Sequence, residues 1–297
     1  MKTQIFGNIR VDAISELEQW VVDPAWLLRG ATREAVAEHA RWLGPRLVEA
    51  GSHNLILSSH AYLIRTPHHT LLFDTCCGND KERGDVFPFH RLKSPFLQNL
   101  ASAGVSPEQV DYVMCSHLHV DHVGWNTRLT NGEWVPTFPN ARYLFSRGEV
   151  NWWHEAAASG GGSAYSRAAF QDSVLPVLQR EQAILVDDDH CLENALPDEI
   201  RYLPLHGHTA HHCGLYLRSG SSDAILSGDA IHHPIQFARP DWIQAGFDPQ
   251  AARRVIENLV ARCIDTDTKL LTAHFPAPTA GRVIQRGNEP RFEFEQD

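Results

Sequence analysis

No stretch of this chain approaches the ~18–20 consecutive apolar residues that a membrane-spanning helix needs. The N-terminus, Met1 to Ile14, alternates polar and apolar residues and lacks the unbroken apolar segment of a secretory signal. The expectation is a soluble, cytoplasmic protein made without an export tag. The six cysteines (Cys76, Cys77, Cys115, Cys191, Cys213 and Cys263) include no CxxC pair, and adjacent Cys76 and Cys77 are poorly placed to bridge. They read as small buried hydrophobes in a reducing compartment. Cationic residues are outnumbered, 26 Lys and Arg against 36 Asp and Glu for a net charge of -10, so nucleic acid and bare membrane make poor partners. There is no short-period repeat and no shift of composition along the 297 residues, which predicts one domain over 1–297, with residues 1–54 as an N-terminal extension packed on it.

What the chain has in excess is histidine, 18 in all. The elements around them mix helix and strand. Helical spacing runs over 31–43, and Pro95 to Ala103 reads as a short helix before Gly104. Strand patterns cover Leu55–Leu57, Tyr62–Ile64, Thr70–Asp74 and Tyr112–Cys115. Phe170 to Arg180 reads as a helix that has to accommodate Pro176. A strand at Ile200–Leu205, a hairpin of Leu215–Leu217 with Ala224–Leu226, an amphipathic helix over Pro249–Ile264 and a strand at Lys269–Thr272 complete the pattern.

The chemistry concentrates in Ser116-His117-Leu118-His119-Val120-Asp121-His122, directly after the apolar strand. Imidazole nitrogen and carboxylate oxygen suit zinc and similar divalent ions at roughly 2 Å. Alternate residues of an extended segment point the same way, so His117 and His119 can meet one ion. A turn at Asp121 and His122 can aim the next two at a second. Three more apolar strands end in a ligand-type residue, at His208-Thr209, at Ser227-Gly228-Asp229 and at Ala273-His274.

With these motifs the chain resembles the metallo-β-lactamase-fold hydrolase superfamily from about Leu57 to about Val283. The resemblance implies an α/β fold, a four-layer αββα sandwich of mixed sheets with the metal site at one edge. It implies two divalent ions, zinc foremost, with manganese, cobalt or iron as alternatives. His117, His119 and His208 would hold the first, Asp121, His122 and His274 the second, and Asp229 would bridge them. It also implies that Asp74, at its strand end, orients a liganding imidazole from behind, with Thr209 doing similar work.

The lactonase and methyl-parathion-hydrolase-like group is the most similar branch. The expected substrate is a small-molecule ester or lactone, attacked at its carbonyl by a hydroxide between the two metals. An aryl phosphotriester is an alternative, as is a mononuclear iron persulfide dioxygenase, or a member that keeps the fold only for binding. Asp121 and Asp229 are the expected catalytic carboxylates. The quorum-quenching lactonases carry a tyrosine shortly after the bridging aspartate, where this chain reads Ala230-Ile231-His232-His233-Pro234. His232 or His233 would then replace that phenol as an oxyanion donor. Phe87, Phe89, Trp125, Trp152, Trp153 and Trp242 are expected near the mouth, with the 87–90 loop and the Gly160 run as covers. The Trp20-to-Trp26 region is a candidate homodimer interface.

Overall fold

A computed structural model describes residues 3–84, 88–192, 195, 197–244 and 246–295. Strands β1 (Gln4–Phe6), β2 (Ile9–Val22), β3 (Leu55–Arg65), β4 (Thr70–Phe73) and β5 (Tyr112–Met114) are followed by a separate hairpin, β6 (Thr127–Thr130) and β7 (Glu133–Pro136). Strands β8 (Arg142–Ser146) and β9 (Ala183–Val186) complete a seven-stranded sheet of order β1-β2-β3-β4-β5-β8-β9. The second sheet takes six strands in chain order, β10 (Glu199–Pro204), β11 (Cys213–Ser219), β12 (Ser222–Leu226), β13 (Lys269–Leu271), β14 (Ala280–Arg286) and β15 (Glu289–Phe294). Both sheets are mixed: β4, β5, β8 and β9 run parallel, as do β12 and β13, and the remaining neighbours are antiparallel.

The helices are α1 (Pro24–Leu27), α2 (Arg33–Leu43), α3 (Phe96–Ser102), α4 (Arg147–Ser159), α5 (Ala164–Ala169), α6 (Leu175–Gln179), α7 (Ile235–Ala238) and α8 (Pro249–Cys263). Because successive strand residues face opposite ways, each sheet supplies two cores. Leu63, Leu72 and Val113 point outward and pack under α3, α4 and α6 with Phe96, Trp153 and Val177. Their neighbours Ile64, Leu71 and Met114 point inward and meet Leu215, Leu217 and Leu226 of the second sheet. That sheet buries Ile225 and Leu270 on its other face against Ile256 and Leu259 of α8. The layer order is therefore helix, sheet, sheet, helix, the αββα sandwich expected from the motifs. No helix among the described residues is long and apolar enough to cross a membrane.

Three local readings gain detail. Residues 55–75 hold the two expected strands, and the segments 55–57 and 62–64 run on as one, β3, because Ser58, Ser59 and His60 between them are buried; Ser58 donates to the Phe275 carbonyl (2.8 Å) and His60 faces the Thr272 carbonyl (2.9 Å). The alternation noted over Met1–Ile14 belongs to β1 and to β2, whose pairing with β3 shifts register between Ser15 and Trp20. Such irregularities re-aim side chains, and here they send Glu16 inward to accept hydrogen bonds from the Cys77 and Gly78 amides and the Trp125 indole. The stretch 170–180 is a π-helical turn at Phe170–Val174 followed by α6, which puts Pro176 in a first turn where its missing N–H costs nothing.

The π-helical turn is fastened from beneath. Asp172 takes a two-pronged contact from Arg83 (2.7 and 2.9 Å). Lys81 Nζ lies 3.4 Å from the same carboxylate and 3.6 Å from the Trp134 ring centre, and it donates to Thr127 Oγ1 (2.6 Å). Burial brings the Lys81 ammonium down to about 7. One carboxylate thus serves two buried cations, and the partners are unequal. Asp172→Asn, which strands both cations, should cost about 3–5 kcal/mol in denaturant unfolding, whereas Lys81→Met should be close to neutral. The folded pKa of Lys81 lies below its unfolded value, so the unfolded chain binds the extra proton. The stability difference, wild type minus Lys81→Met, should therefore rise as pH goes from about 7 toward 10.

Candidate metal centre

Five strand ends from the two sheets meet at one edge. Strand β5 runs into the loop Ser116–His122, and β4, its parallel neighbour, ends at Asp74. Asp74 adopts φ 61°, a left-handed conformation that Asp tolerates better than most residues. There its carboxylate accepts from Ser116 N (2.7 Å) and Ser116 Oγ (2.9 Å) and meets His122 Nδ1 (2.9 Å). Strand β10 is followed by a turn carrying His208, β12 by Ser227-Gly228-Asp229, and β13 by His274, whose Nδ1 faces the Ser58 carbonyl of β3 (3.0 Å).

The arrangement centres on Asp229. Its Oδ2 lies 3.3 Å from His208 Nε2, 3.9 Å from His117 Nε2 and 3.2 Å from His232 Nε2. Its Oδ1 lies 3.1 Å from His122 Nε2 and 3.0 Å from His274 Nε2. On the first side, His208 Nε2 also meets His117 Nε2 (3.1 Å) and His119 Nδ1 (2.9 Å). On the second, the Asp121 carboxylate stands 3.8 Å from His122 Nε2 and 3.7 Å from His274 Nε2. Two sets with metal-binding spacing result, His117-His119-His208 and Asp121-His122-His274, and one carboxylate faces both.

The electrostatics divide in the same way. Burial, reinforced by neighbouring imidazoles, holds His117 and His208 well below the usual histidine range, and burial brings His119 down to about 4. Those rings stay neutral, with lone pairs free to bind a cation. Burial also opposes charge on His122 and His274, but Asp229 and Asp121 prevail and raise both, with Asp74 adding to His122. Asp229 itself is buried, yet the surrounding imidazoles hold its carboxyl well below the carboxylate range. His122 Nε2 and Asp229 Oδ1 are buried and make no hydrogen bond despite standing 3.1 Å apart. Buried anions and neutral nitrogen donors around unpaired polar atoms fit a pair of divalent cations.

The remaining predicted residues separate. His232 faces the centre, stacked on His274 at 5.7 Å between ring centres and 11° between planes, and neither of its buried ring nitrogens has a hydrogen-bond partner. His233 turns away: Nε2 meets the Leu47 carbonyl (3.0 Å) and Nδ1 accepts from Ile235 N (3.2 Å), so this ring holds the turn into α7. Thr209 offers no hydrogen bond to a ligand-type imidazole; its buried hydroxyl serves the Glu149 carboxylate and its carbonyl accepts from Gly207 N (2.9 Å). The support goes instead to residues the sequence reading passed over. His212 accepts from Asp229 N at Nε2 (2.9 Å) and meets the Leu205 carbonyl at Nδ1 (3.1 Å), and Ser116 Oγ meets His117 Nδ1 (3.0 Å). Gly228, at φ 49°, leaves room for the His212 ring, since a Cβ there would stand 2.6 Å from Nε2. The dense run His206-Gly-His-Thr-Ala-His-His was the only sequence hint of His212.

Above the metal-binding sets lies a cavity of about 270 Å³ whose floor includes His119, Asp121, Asp229, His232 and His274. Phe89, Trp152 and Trp153 line it as expected, and Trp20, Trp26 and Tyr165 join them. Gly162 and Ser163 of the glycine run lie on its rim. No Lys or Arg lines it among the described residues. Trp125 is instead a core residue stacked on Phe96 (5.5 Å), Trp242 is buried under α2, and Phe87 lies outside the described residues.

Comparison with known proteins adds four findings. A family model described as the Metallo-beta-lactamase superfamily matches residues 56–268. The N-acyl homoserine lactonase AiiA of Bacillus thuringiensis subsp. kurstaki is 23% identical over 176 residues, which is 59% of this chain and 60% of that protein's length. Among solved structures, the hydrolase AbOPH of the beta lactamase superfamily is 21% identical, with a TM-score of 0.78 over 99% of this chain and 97% of that one. AidC, a dizinc quorum-quenching lactonase solved with a product, is 18% identical, with a TM-score of 0.80 over 100% of this chain and 97% of that one.

His212→Ala would leave the Asp229 amide and the Leu205 carbonyl buried and unpaired. At about 1–3 kcal/mol for each stranded group, urea unfolding should show a loss of roughly 2–4 kcal/mol.

Proposed function

The chain belongs to the metallo-beta-lactamase superfamily, and from that footing we propose that it is a dinuclear metal-dependent hydrolase opening ester or lactone bonds in neutral, largely apolar small molecules. The observation that carries the proposal is the division of Asp229, with Oδ2 toward His208 and Oδ1 toward His122 and His274. His117, His119 and His208 would hold one divalent ion, Asp121, His122 and His274 the other, and Asp229 both. The donor set of imidazoles and carboxylates suits zinc, and manganese, cobalt or iron bind such sets according to supply. Two such ions supply an activated water and a positive partner for a carbonyl oxygen.

The chain's own residues do the rest. Asp74 and the Ser58 carbonyl take the far N–H groups of His122 and His274, which fixes each ring's tautomer and aim. Asp121 is the most open carboxylate of the floor, with 15% of its side chain exposed, and stands where it can accept a proton from water entering the cavity. His232, with ring nitrogens committed to no other group, donates a hydrogen bond to the oxygen that gains charge in the transition state. Trp20, Trp152, Trp153 and Phe89 bind the acyl or aryl portion and exclude bulk water. Among the described residues the wall has no cationic side chain, which disfavours anionic substrates.

The same neutral aromatic wall suits an aryl phosphotriester, which is the second reading. A mononuclear iron dioxygenase acting on persulfides would share the first ligand set, and bound iron with oxygen uptake would distinguish it.

The deciding experiment measures initial rates of the zinc-loaded protein against chelated controls on γ- and δ-lactones, an aryl ester, an aryl phosphotriester and a cephalosporin. Metal-dependent turnover of lactone or ester is expected. Silence on the whole panel, from folded protein with two ions bound, would sink the proposal and direct attention to oxygen uptake with persulfides. Asp229→Ala should abolish turnover. His232→Ala should lower kcat by roughly 10²–10³-fold, as loss of one oxyanion donor does, with metal content unchanged.

A further inference from the structure

A second group of chelating side chains lies on the far side of the His208 turn. Asp188 follows β9, His206 and His211 belong to the turn between β10 and β11, and Cys213 opens β11. His206 Nε2 stands 3.0 Å and His211 Nδ1 2.7 Å from the same oxygen, Asp188 Oδ2. Two imidazole nitrogens closing on one carboxylate oxygen is the pattern that His122 and His274 make with Asp229 Oδ1. A carboxylate oxygen of Asp188, a ring nitrogen of His206 and the Cys213 sulfur also lie within 4.8 Å of one another, and Cys213 is the only cysteine in such a cluster among the described residues.

The surroundings are built to hold these groups. Asp188 Oδ1 accepts from Ser146 Oγ (2.6 Å), which orients the carboxylate and leaves Oδ2 to the histidines. Burial disfavours its charge, yet the hydrogen bonds it receives from His206, Ser146 and His211 bring it down to about 2, so it is anionic at neutral pH. His211 lies flush against the first turn of α4, where a Cβ on Gly148 would come within 2.2 Å of its ring. A shallow groove with Arg147, Asn151 and Glu155 on its sides opens onto Asp188 and His211 and gives an ion a way in.

We propose that Asp188, His206, His211 and Cys213 form a separate structural site for one divalent ion, zinc foremost. Two nitrogens, one oxygen and one sulfur from the protein make a closed four-ligand set, the mark of a structural zinc site. Bonds of about 2.0–2.3 Å place tetrahedral ligands roughly 3.3–3.8 Å apart, so the two imidazoles, now 3.0 and 2.7 Å from Asp188 Oδ2, need to draw back from it by only about 1 Å or less. Burial holds the Cys213 thiol well above its ordinary value. It therefore ligates by giving its proton to solvent as the sulfur–metal bond forms, one proton released per ion bound. Because His206 and His211 flank His208 in one turn, this ion fastens that turn to the end of β9.

The test uses the full chain, stripped with a chelator and reloaded with zinc or with cobalt. Zinc counted by mass spectrometry should be one equivalent higher in the wild type than in Asp188→Asn or His211→Ala. The cobalt-loaded wild type should show a thiolate-to-cobalt charge-transfer band in the near ultraviolet, absent from Cys213→Ser. The band should persist in Asp229→Ala, which separates this site from the dinuclear centre. Failure of the dinuclear reading would alter the total count but not that difference or the band. If the wild type shows no thiolate band under excess cobalt, or if the folded variants bind as much zinc as the wild type, the cluster is a hydrogen-bonded relay and the proposal is overturned.

Discussion

The Asp229 carboxylate is buried where water cannot solvate it, and its oxygens have five imidazoles within 3.9 Å. An isolated ionised group in such a place is expensive, and removing its partners typically costs several kcal/mol. The compensating groups come from the ends of β5, β10 and β13 and, for His232, from the segment after β12 that also carries Asp229, so both sheets have to be held face to face for the cluster to exist. The layer of Ile64, Leu71, Met114, Leu215, Leu217 and Leu226 between the sheets does that holding. Core packing and site geometry are in this sense one requirement, since a slip of either sheet would separate the two halves of the ligand set.

A second ring of contacts turns rough placement into aim. Asp74, the Ser58 carbonyl, Ser116 and His212 each take or give one hydrogen bond to a group that faces the centre. None of the four belongs to the clustered donors themselves. Each removes a rotational freedom from a residue that does, which is how such outer contacts raise metal affinity and preorganise a site.

The ligand-type residues were legible because each ends an apolar strand, and because HxHxDH packs alternating donors into one extended segment. The layer order came with the family resemblance that those motifs carry, since the strand pattern by itself says only that helices and strands mix. Other features depend on contacts that no local pattern encodes. His232 and His233 are chemically identical neighbours, and only the partners of His233, the Leu47 carbonyl and the Ile235 amide, turn one ring away from the centre. Strand β2 shows its alternation clearly, but the register shifts between Ser15 and Trp20 break the period at the point where Glu16 and Trp20 are redirected. His212 was hidden by its own neighbourhood, one histidine among four in a seven-residue run. The polar Ser58-Ser59-His60 interrupts the apolar pattern of β3, and partners more than 200 positions away satisfy Ser58 and His60.

The wall of the cavity and its floor come from different parts of the chain. Trp20, Trp26 and Leu27 are supplied by the N-terminal segment, and Trp152, Trp153 and Tyr165 by α4 and α5, whereas the metal-binding groups sit on strand ends. Because wall and floor are separate in the sequence, substitutions before β3 or around the glycine run would reshape what the cavity admits while leaving the strand-end cluster beneath it intact.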